Sequence, residues 1–250
     1  MNSKDALGWR AKFGVLAPST NTIVEPDFYT MRVPGVTAHF SRIHIRDQNL
    51  SSNEAMFGLL DQIRAEIGFA IDRVCTAAVD YMVMGMSAET FWGGVEGNRK
   101  FIQLIKERSG GLNVATGAEA CERALHLFGA KRIAVVTPYQ SVGDEAVVQF
   151  FSEIGFEVVR IKGLKCPTAV SIAHVSEDEL REALLELNGP DVDALVQAGT
   201  NLSMVRLADE AERWLGKPVI AINAATWWMA LRENGIQDKV YGAGRLLREF

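Results

Sequence analysis

The pattern of apolar and polar positions alternates between short apolar runs and longer segments with helical spacing. In the first half, residues 13–17 and 81–84 are apolar runs, residues 36–45 alternate, and residues 54–79 and 97–109 carry apolar positions at helical spacing. Short runs bounded by turn residues predict strands, whereas a period of about 3.6 residues predicts helices. Strands that alternate with helices in this way predict parallel βαβ units with right-handed crossovers.

The second half of the chain repeats this alternation. The pattern predicts strands over residues 132–136, 157–161, 194–197 and 219–222, and helices over residues 117–128, 141–153, 177–187 and 227–233. Two segments also match between the halves. Gly14-Val-Leu-Ala-Pro18 resembles Ala134-Val-Val-Thr-Pro138, and the strand from Asp80 to Gly85 resembles the strand from Asp193 to Gly199. We therefore expect an α/β protein made of two pseudo-symmetric lobes.

Polar turns follow two strands in each half, and these turns are the candidates for binding chemistry. In open α/β sheets, ligands bind beyond the carboxyl ends of the strands, so we expect the four turns to face one cleft. Hydroxyls, amides and free N–H groups at such positions can hold an anion. The candidate residues, in chain order, are Pro18, Asn21, Gly85, Met86, Ser87, Tyr139, Gly199, Thr200 and Asn201.

Purely structural roles stay open for several polar residues. Ser19, Thr20 or Asn21 could simply cap the helix that follows them. An aromatic residue such as Tyr139 often serves packing alone. Glu89 is a candidate general base if it is buried, but a glutamate in the first turn of a helix usually complements the helix dipole and is solvated.

Composition removes several classes of function. The chain has 250 residues and a net charge of −5, so it lacks the basic surface of a nucleic-acid-binding protein. Its apolar runs are shorter than the roughly 18 residues that a membrane-spanning helix needs. Residues 1–12 lack the apolar region of a signal peptide, so we expect no membrane association. The three cysteines are scattered, which is typical of a reducing compartment, and we expect a cytoplasmic protein.

Patterns for a metal or an organic cofactor are missing from the sequence. The four histidines lack the H-E-x-x-H spacing, the three cysteines lack the C-x-x-C spacing, and no Gly-x-Gly-x-x-Gly follows a predicted strand. We therefore expect no metal and no cofactor, and a small molecule as the ligand. A homo-oligomeric assembly is left open.

Several motifs resemble a known superfamily, that of the aspartate/glutamate racemases. Gly14-Val-Leu-Ala-Pro-Ser-Thr-Asn-Thr-Ile-Val-Glu25 and the ending Gly242-Ala-Gly-Arg-Leu-Leu-Arg248 resemble the maleate cis–trans isomerases, and residues 84–93 resemble the arylmalonate decarboxylases. The resemblance covers residues 12–248. It implies two Rossmann-like lobes with mainly parallel sheets and the site in the cleft between them. We expect residues 12–113 and 220–250 to form the first lobe, and residues 114–219 the second.

The resemblance also implies roles for the candidate residues. Ser87, Tyr139 and Thr200 would be the catalytic residues that hold a developing enediolate. The other six candidates would bind the substrate: Pro18, Asn21, Gly85, Met86, Gly199 and Asn201. The two positions at which relatives carry a cysteine correspond to glycines here, Gly85 and Gly199. Because Cys75, Cys121 and Cys166 match neither position, we expect catalysis without a thiol.

These observations lead to one hypothesis with two alternatives. The leading hypothesis is an arylmalonate-decarboxylase-like lyase, which acts on a small carboxylate or dicarboxylate through an enediolate-like intermediate and uses no cofactor. The first alternative is a maleate-isomerase-like or racemase-like isomerase that uses non-thiol groups. The second is a catalytically inactive module that binds carboxylates. The proton donor stays open among Ser87, Tyr139, Thr200, Glu89 and a bound water.

Overall fold

The structure, a computed structural model, describes residues 5–250. The predicted polar N-terminal segment, residues 1–12, therefore lies partly outside the described residues. Within residues 5–250, none of the helices is both long and apolar enough to cross a membrane.

The first lobe is built on a sheet of four parallel strands. These strands are β1 (Ala11–Pro18), β2 (Val36–Ile43), β3 (Tyr81–Met84) and β4 (Val114–Ala115). They are arranged in the order β2-β1-β3-β4. The helices between these strands are α1 (Val24–Thr30), α2 (Asn53–Cys75), α3 (Ala88–Phe91) and α4 (Gly94–Arg108).

The second lobe repeats this topology. Its strands are β5 (Arg132–Thr137), β6 (Glu157–Gly163), β7 (Ala194–Gln197) and β8 (Val219–Ala221), in the order β6-β5-β7-β8. The remaining helices are α5 (Gly117–Leu127), α6 (Ser141–Glu153), α7 (Glu177–Leu187), α8 (Val205–Leu215), α9 (Ile222–Glu233) and α10 (Arg245–Glu249). Two parallel sheets with the same strand order confirm the predicted α/β class and the pseudo-symmetry of the lobes.

Burial explains why the central strands were easy to predict. Every residue of β3 and of β7 is buried, as expected for parallel strands that are covered by helices on both faces. Such strands have no polar face, so they are continuous apolar runs in the sequence. The predicted limits of the two lobes, at residues 113/114 and 219/220, stay a prediction. Near these limits, β4 pairs with β3 of the first sheet, and β8 pairs with β7 of the second sheet.

Helix α9 begins five residues before the predicted helix over residues 227–233. All of its residues from Ile222 to Leu231 are buried, and Trp227 contacts Phe13 of β1 and Phe28 of α1. A helix that is apolar on every side has weak periodicity, so its start could not be located from the pattern. The predicted strand over residues 219–222 correspondingly ends at Ala221.

The two aspartates that open β3 and β7 have the same structural role. Asp80 accepts a hydrogen bond from the backbone N–H of Lys12 at 2.8 Å, and Asp193 accepts one from the backbone N–H of Arg132 at 2.8 Å. The backbone N–H of each aspartate also donates to the carbonyl of that same residue, Lys12 or Arg132. These contacts fix the register of β3 on β1 and of β7 on β5, which supports the internal match that the sequence indicated.

The register corrects one equivalence that the sequence indicated. Leu16 pairs with Met84, and Val136 pairs with Gln197. Along these ladders the residue that matches Gly85 is therefore Ala198, and Met86 matches Gly199. The predicted equivalence of Gly85 and Gly199 is wrong by one residue, because the second motif is one residue longer between its aspartate and its glycine. The two hydroxyl residues Ser87 and Thr200 become the matching pair.

Candidate active site

A pocket lies where the carboxyl ends of the two sheets face each other. It encloses about 650 Å³ of space that is not filled by atoms, and part of that space is open to solvent. Four predicted residues of the first lobe line it: Pro18, Asn21, Met86 and Ser87. Four of the second lobe also line it: Tyr139, Gly199, Thr200 and Asn201. The four polar turns that the sequence predicted to bind a ligand thus meet in one cleft.

Ser87 and Tyr139 form the shortest contact between the lobes at this pocket. The Ser87 Oγ and Tyr139 Oη atoms are 2.6 Å apart, and either hydroxyl can be the donor. The backbone N–H of Thr200 also donates to Ser87 Oγ, at 3.3 Å. Ser87 is only 5% exposed, so this cluster is largely shielded from water. The two hydroxyls can rotate, so both can donate to an anionic oxygen that binds beside them.

The conformation of the Tyr139 turn is set by its own lobe. The backbone N–H of Tyr139 donates to Thr137 Oγ1 at 3.1 Å, and that hydroxyl donates in turn to the Asp144 carboxyl. Burial raises the pKa of Asp144 to about 6, and burial also raises the pKa of the Tyr139 phenol. The phenol consequently keeps its proton at neutral pH and can act as a hydrogen-bond donor.

Asn21 and Thr200 form a second contact between the lobes. Asn21 Nδ2 donates to Thr200 Oγ1 at 3.0 Å. The Asn21 Oδ1 atom accepts from the backbone N–H groups of Ile23 and Val24 at the start of α1, each at 3.0 Å. Asn21 therefore fulfils the capping role that the sequence left open, and it also reaches across the cleft.

The side chain of Asn201 is fully engaged by the protein. Its Oδ1 accepts from the backbone N–H of Thr22 at 3.0 Å, and its Nδ2 donates to the carbonyl of Ala169 at 3.0 Å. Such an amide has little hydrogen-bonding capacity left for a ligand. We infer that the Asn201 side chain holds the cleft together.

Two predicted contributors lie outside the lining of the pocket. Gly85 donates its backbone N–H to the carbonyl of Leu16 at 2.8 Å and belongs to the end of the sheet ladder. Glu89 is buried and accepts a hydrogen bond from Arg64 Nε at 2.8 Å. Burial raises the Glu89 pKa, and the hydrogen bond from Arg64 opposes that rise. The predicted contact of Gly85 with the substrate is not supported, since Met86 takes the lining position.

The sequence did not predict the apolar wall of the pocket. Helix α2, the loop before it and a short 3-10 helix in the second lobe contribute Ile45, Leu50, Met56, Leu59, Ile63 and Ile172. The helical spacing of Met56, Leu59 and Ile63 indicated a buried face but not that the face lines a cavity. Within the described residues, no Asp, Glu, Lys, Arg or His side chain contributes to this lining. A bound anion would therefore be held by neutral donors alone.

Cys166 lines the pocket although it matches neither position at which relatives carry a cysteine. It is 5% exposed, and its backbone N–H donates to the carbonyl of Pro138 at 3.0 Å, which brings the loop after β6 against the Tyr139 turn. Burial raises the pKa of the Cys166 thiol to about 11. A thiol therefore lines the pocket and is protonated at neutral pH, and the expectation of catalysis without a thiol is not supported.

Alkylation of Cys166 is expected to be slow and to block the pocket. With its raised pKa, the thiol has roughly 100-fold less thiolate at pH 8 than an ordinary cysteine, and iodoacetamide reacts with the thiolate. Mass spectrometry of iodoacetamide-treated protein should show this slow modification, accompanied by loss of carboxylate binding. The Cys166→Ala variant is the control, because its carboxylate binding should survive the same treatment. Equal loss of binding in that variant would contradict the assignment of Cys166 to the pocket.

The described part of the chain contains no cluster of side chains that could bind a metal ion. Within residues 5–250, no three His, Cys, Asp or Glu side chains lie close enough to hold a metal ion. The chemistry available in this pocket from the chain itself is that of hydroxyl, amide, backbone N–H and thiol groups.

Two parallel sheets of matching strand order, with polar turns from both around one pocket, define a two-lobed α/β protein with its candidate site between the lobes. Comparison with known families places it more closely. The chain belongs to the arylmalonate decarboxylase family, whose model matches residues 49–247. This match confirms the relationship that the motifs indicated.

The relatives of this chain include proteins from both of the enzyme groups that its motifs resemble. The chain is 28% identical to a maleate isomerase of Pseudomonas putida, over 94% of this chain and 96% of that protein. It is 27% identical to an arylmalonate decarboxylase of Bordetella bronchiseptica, over 67% of this chain and 70% of that protein. The relatives thus include both an isomerase and a decarboxylase.

Solved structures share the fold. A cysteine-to-serine mutant of the Nocardia farcinica maleate cis–trans isomerase, with a covalently bound succinylcysteine intermediate, matches with a TM-score of 0.86 at 24% identity, over 96% of this chain and 99% of that chain. A liganded double mutant of arylmalonate decarboxylase matches with a TM-score of 0.80 at 21% identity, over 96% and 100% of the two chains. The two-lobed Rossmann-like architecture is therefore confirmed.

Proposed function

We propose that this protein is an enzyme that acts at the carbon next to a carboxylate and forms an enediolate in the pocket. The observation that carries the proposal is the convergence of the Ser87 hydroxyl, the Tyr139 hydroxyl and the Thr200 N–H from both lobes. An enediolate concentrates negative charge on the two oxygens of the former carboxylate. The two hydroxyls can rotate to donate to those oxygens, and hydrogen bonds to developing negative charge are usually a large part of catalysis.

The lining of the pocket supports a specific orientation of the substrate. One carboxylate would accept hydrogen bonds from Ser87 and Tyr139 at the polar end, and the rest of the molecule would lie against the apolar wall of α2. Because the lining is uncharged, the donors gain strength from the low local dielectric once a substrate excludes water.

Isomerisation is the first candidate reaction, and it rests on the relatives. The maleate isomerases of Pseudomonas putida and Nocardia farcinica match 94% and 95% of this chain, whereas the decarboxylase of Bordetella bronchiseptica matches 67%. The preference for a lyase that the sequence indicated is therefore not supported by the relatives. Addition of a nucleophile such as water to one alkene carbon would leave an enediolate on the neighbouring carboxylate and a single bond that can rotate. Loss of the same nucleophile after rotation would restore the double bond.

Decarboxylation is the second candidate reaction, and the apolar wall favours it. Loss of carbon dioxide converts a charged carboxylate into a neutral molecule, so an apolar surface around the leaving group helps the reaction. It also leaves an enediolate for Ser87, Tyr139 and the Thr200 N–H to stabilise.

The contribution of a thiol differs from that in the relatives. The Nocardia farcinica isomerase forms a succinylcysteine, whereas the position that the resemblance assigns to its cysteine is Gly199 in this chain. Cys166 is a lining thiol, and its raised pKa favours proton donation over nucleophilic attack. Catalysis without a thiol is consequently not part of this proposal.

Two substrates separate the candidates. Purified protein is incubated with maleate and, separately, with phenylmalonate, and both reactions are followed by proton NMR, with release of carbon dioxide measured for the second. Fumarate formation supports isomerisation, and phenylacetate formation supports decarboxylation. The Ser87→Ala variant is the matched control, because turnover in this pocket should fall strongly without Ser87. Binding of both compounds in calorimetry with no conversion of either would contradict the enzymatic proposal and favour a carboxylate-binding module.

A further inference from the structure

Behind the Thr200 turn lies a chain of hydrogen bonds that reaches the first lobe. Asn223, at the start of α9, donates through Nδ2 to the Thr200 carbonyl at 3.0 Å. The same Nδ2 atom donates to Asp27 Oδ2 of α1 at 2.7 Å. Asn223 is only 2% exposed. One buried amide thus joins a carboxyl group of the first lobe to the turn whose N–H group donates to Ser87 Oγ.

The oxygen atom of the Asn223 amide determines which way this side chain can face. Asn223 Oδ1 is buried and has no hydrogen-bond partner in the described part of the chain. If the amide rotated by half a turn, that oxygen would face both the Thr200 carbonyl and the Asp27 carboxyl. An ionised Asp27 forbids this rotation, because three oxygens would then lie together without a proton between them. A protonated Asp27 permits it, since its O–H can donate to Oδ1.

We propose that Asp27 is a positioning residue of the candidate site: its carboxylate, acting through Asn223, fixes the Thr200 carbonyl and therefore the N–H groups of the Thr200 turn. The consequence for catalysis rests on the proposed function, because it assumes that this turn holds the substrate. The link from Asp27 through Asn223 to the Thr200 carbonyl consists of hydrogen bonds and does not depend on the identity of the substrate. Asp27 itself does not line the pocket, so it acts on the ligand only through the turn.

Asp27 changes charge in an accessible pH range. Burial raises its pKa to about 6, and the hydrogen bond from Asn223 opposes that rise. The Asp27 carboxyl is thus ionised at neutral pH and loses its charge as the pH falls below about 6. The Thr200 turn should be held in one arrangement at pH 7 and become less restricted at pH 5.

Charged groups on the elements packed against α1 are engaged elsewhere. Glu25 of α1 pairs with Arg42 of β2, and His39 of β2 contacts Thr37 in its own strand. On α9, the titratable residues Arg232 and Glu233 lie about three turns from Asn223. Asp144 also has a pKa of about 6, but its hydrogen bond leads to Thr137 and the Tyr139 turn. A test must therefore separate Asp27 from Asp144.

The test follows the backbone amide of Thr200 by nitrogen-15 NMR in the full chain, without ligand, between pH 5 and pH 7.5. In the parent, its chemical shift should change with a midpoint near the Asp27 pKa of about 6. In Asp27→Asn this inflection should disappear, while Asp144 still titrates. Asn223→Ser, which keeps Asp27 but cuts the link, should also abolish it. Asp238→Asn, which removes a carboxylate paired with Arg10 outside the pocket, is the matched control and should titrate like the parent.

Each outcome decides the proposal. A parent amide without an inflection, or an inflection that persists unchanged in Asp27→Asn, overturns it. If Asp27→Asn does not fold, the parent and Asn223→Ser give the answer. Affinity for phenylacetate, measured by calorimetry over the same range, should fall several-fold from pH 7 to pH 5 in the parent and stay constant in Asp27→Asn. Absence of phenylacetate binding would count against the proposed function, but it would leave the NMR result to judge the role of Asp27.

Discussion

Replacing Ser87 with alanine is expected to lower kcat by about 100-fold on whichever carboxylate the protein turns over. Ser87 Oγ lies 2.6 Å from Tyr139 Oη and accepts the Thr200 N–H, so it is the junction of the donor cluster. Loss of one donor to a developing oxyanion typically costs a factor of about 10² to 10³ in rate. KM should change little, because the interaction strengthens as charge develops on the substrate. Steady-state kinetics on the wild type and the variant measure both parameters.

Ser41→Ala is the matched control for this prediction. Ser41 is also a buried serine, on β2, and its hydroxyl lies outside the lining of the pocket. Its removal should leave kcat unchanged, whereas a general loss of stability from deleting a buried hydroxyl would affect both variants. A Ser87→Ala enzyme with wild-type kcat would show that the Ser87 hydroxyl is not a donor in the transition state.

Replacing Gly199 with cysteine is expected to destabilise the protein by about 1–3 kcal/mol, the usual cost of overpacking. A Cβ atom at this position would lie 2.6 Å from Pro138 Cδ and 2.8 Å from Pro138 Cγ. The proline ring cannot rotate away from the clash, so the turn itself must move. Gly199 does not have a positive φ, which means that crowding, and not backbone conformation, is the obstacle.

Urea denaturation measures this loss, and two other glycines calibrate it. In Gly58→Cys the new Cβ would meet only Gln48 Nε2, at 3.7 Å, so stability should be retained. In Gly85→Cys the nearest atoms are Ala17 Cβ at 3.1 Å and the Leu16 carbonyl oxygen at 3.2 Å, which predicts an intermediate effect. If Gly199→Cys were as stable as Gly58→Cys, the predicted steric clash with Pro138 would be wrong.

These distances also bear on a double variant with cysteine at both positions where relatives carry one. The side chain of a cysteine at Gly85 would point toward residues of β1, and one at Gly199 would point toward Pro138. Neither direction is free space in the present cleft. The neighbouring residues pack closely against both glycines, so a thiol cannot be added without moving them.

Sequence patterns predicted the parts of the fold that depend on local chemistry. The apolar runs of β3 and β7 and the polar turns after them predicted where the lobes meet, and eight of the nine residues assigned to the site line the pocket. Those positions could be found because a buried parallel strand followed by a polar turn leaves a clear pattern.

Residues that reach the pocket through tertiary packing could not be found this way. Cys166 lies in a loop whose approach to the pocket depends on a backbone bond to Pro138, which no local pattern encodes. The apolar face of α2 has the same periodicity whether it covers a filled core or a cavity. Gly85 was matched with Gly199 because both are glycines that follow an apolar run. The hydrogen-bonded pairs of the two sheets, which the sequence does not contain, instead match Met86 with Gly199.

The contacts that join the lobes have a consequence for the order of events in a catalytic cycle. Ser87 with Tyr139 and Asn21 with Thr200 are pairs in which each lobe supplies one partner, and all four residues line the pocket. Separation of the lobes to admit a ligand would break both pairs at once. In the proposed reaction an open cleft would therefore also be an inactive one, because the enediolate would lose its stabilising donors at the moment when it could escape.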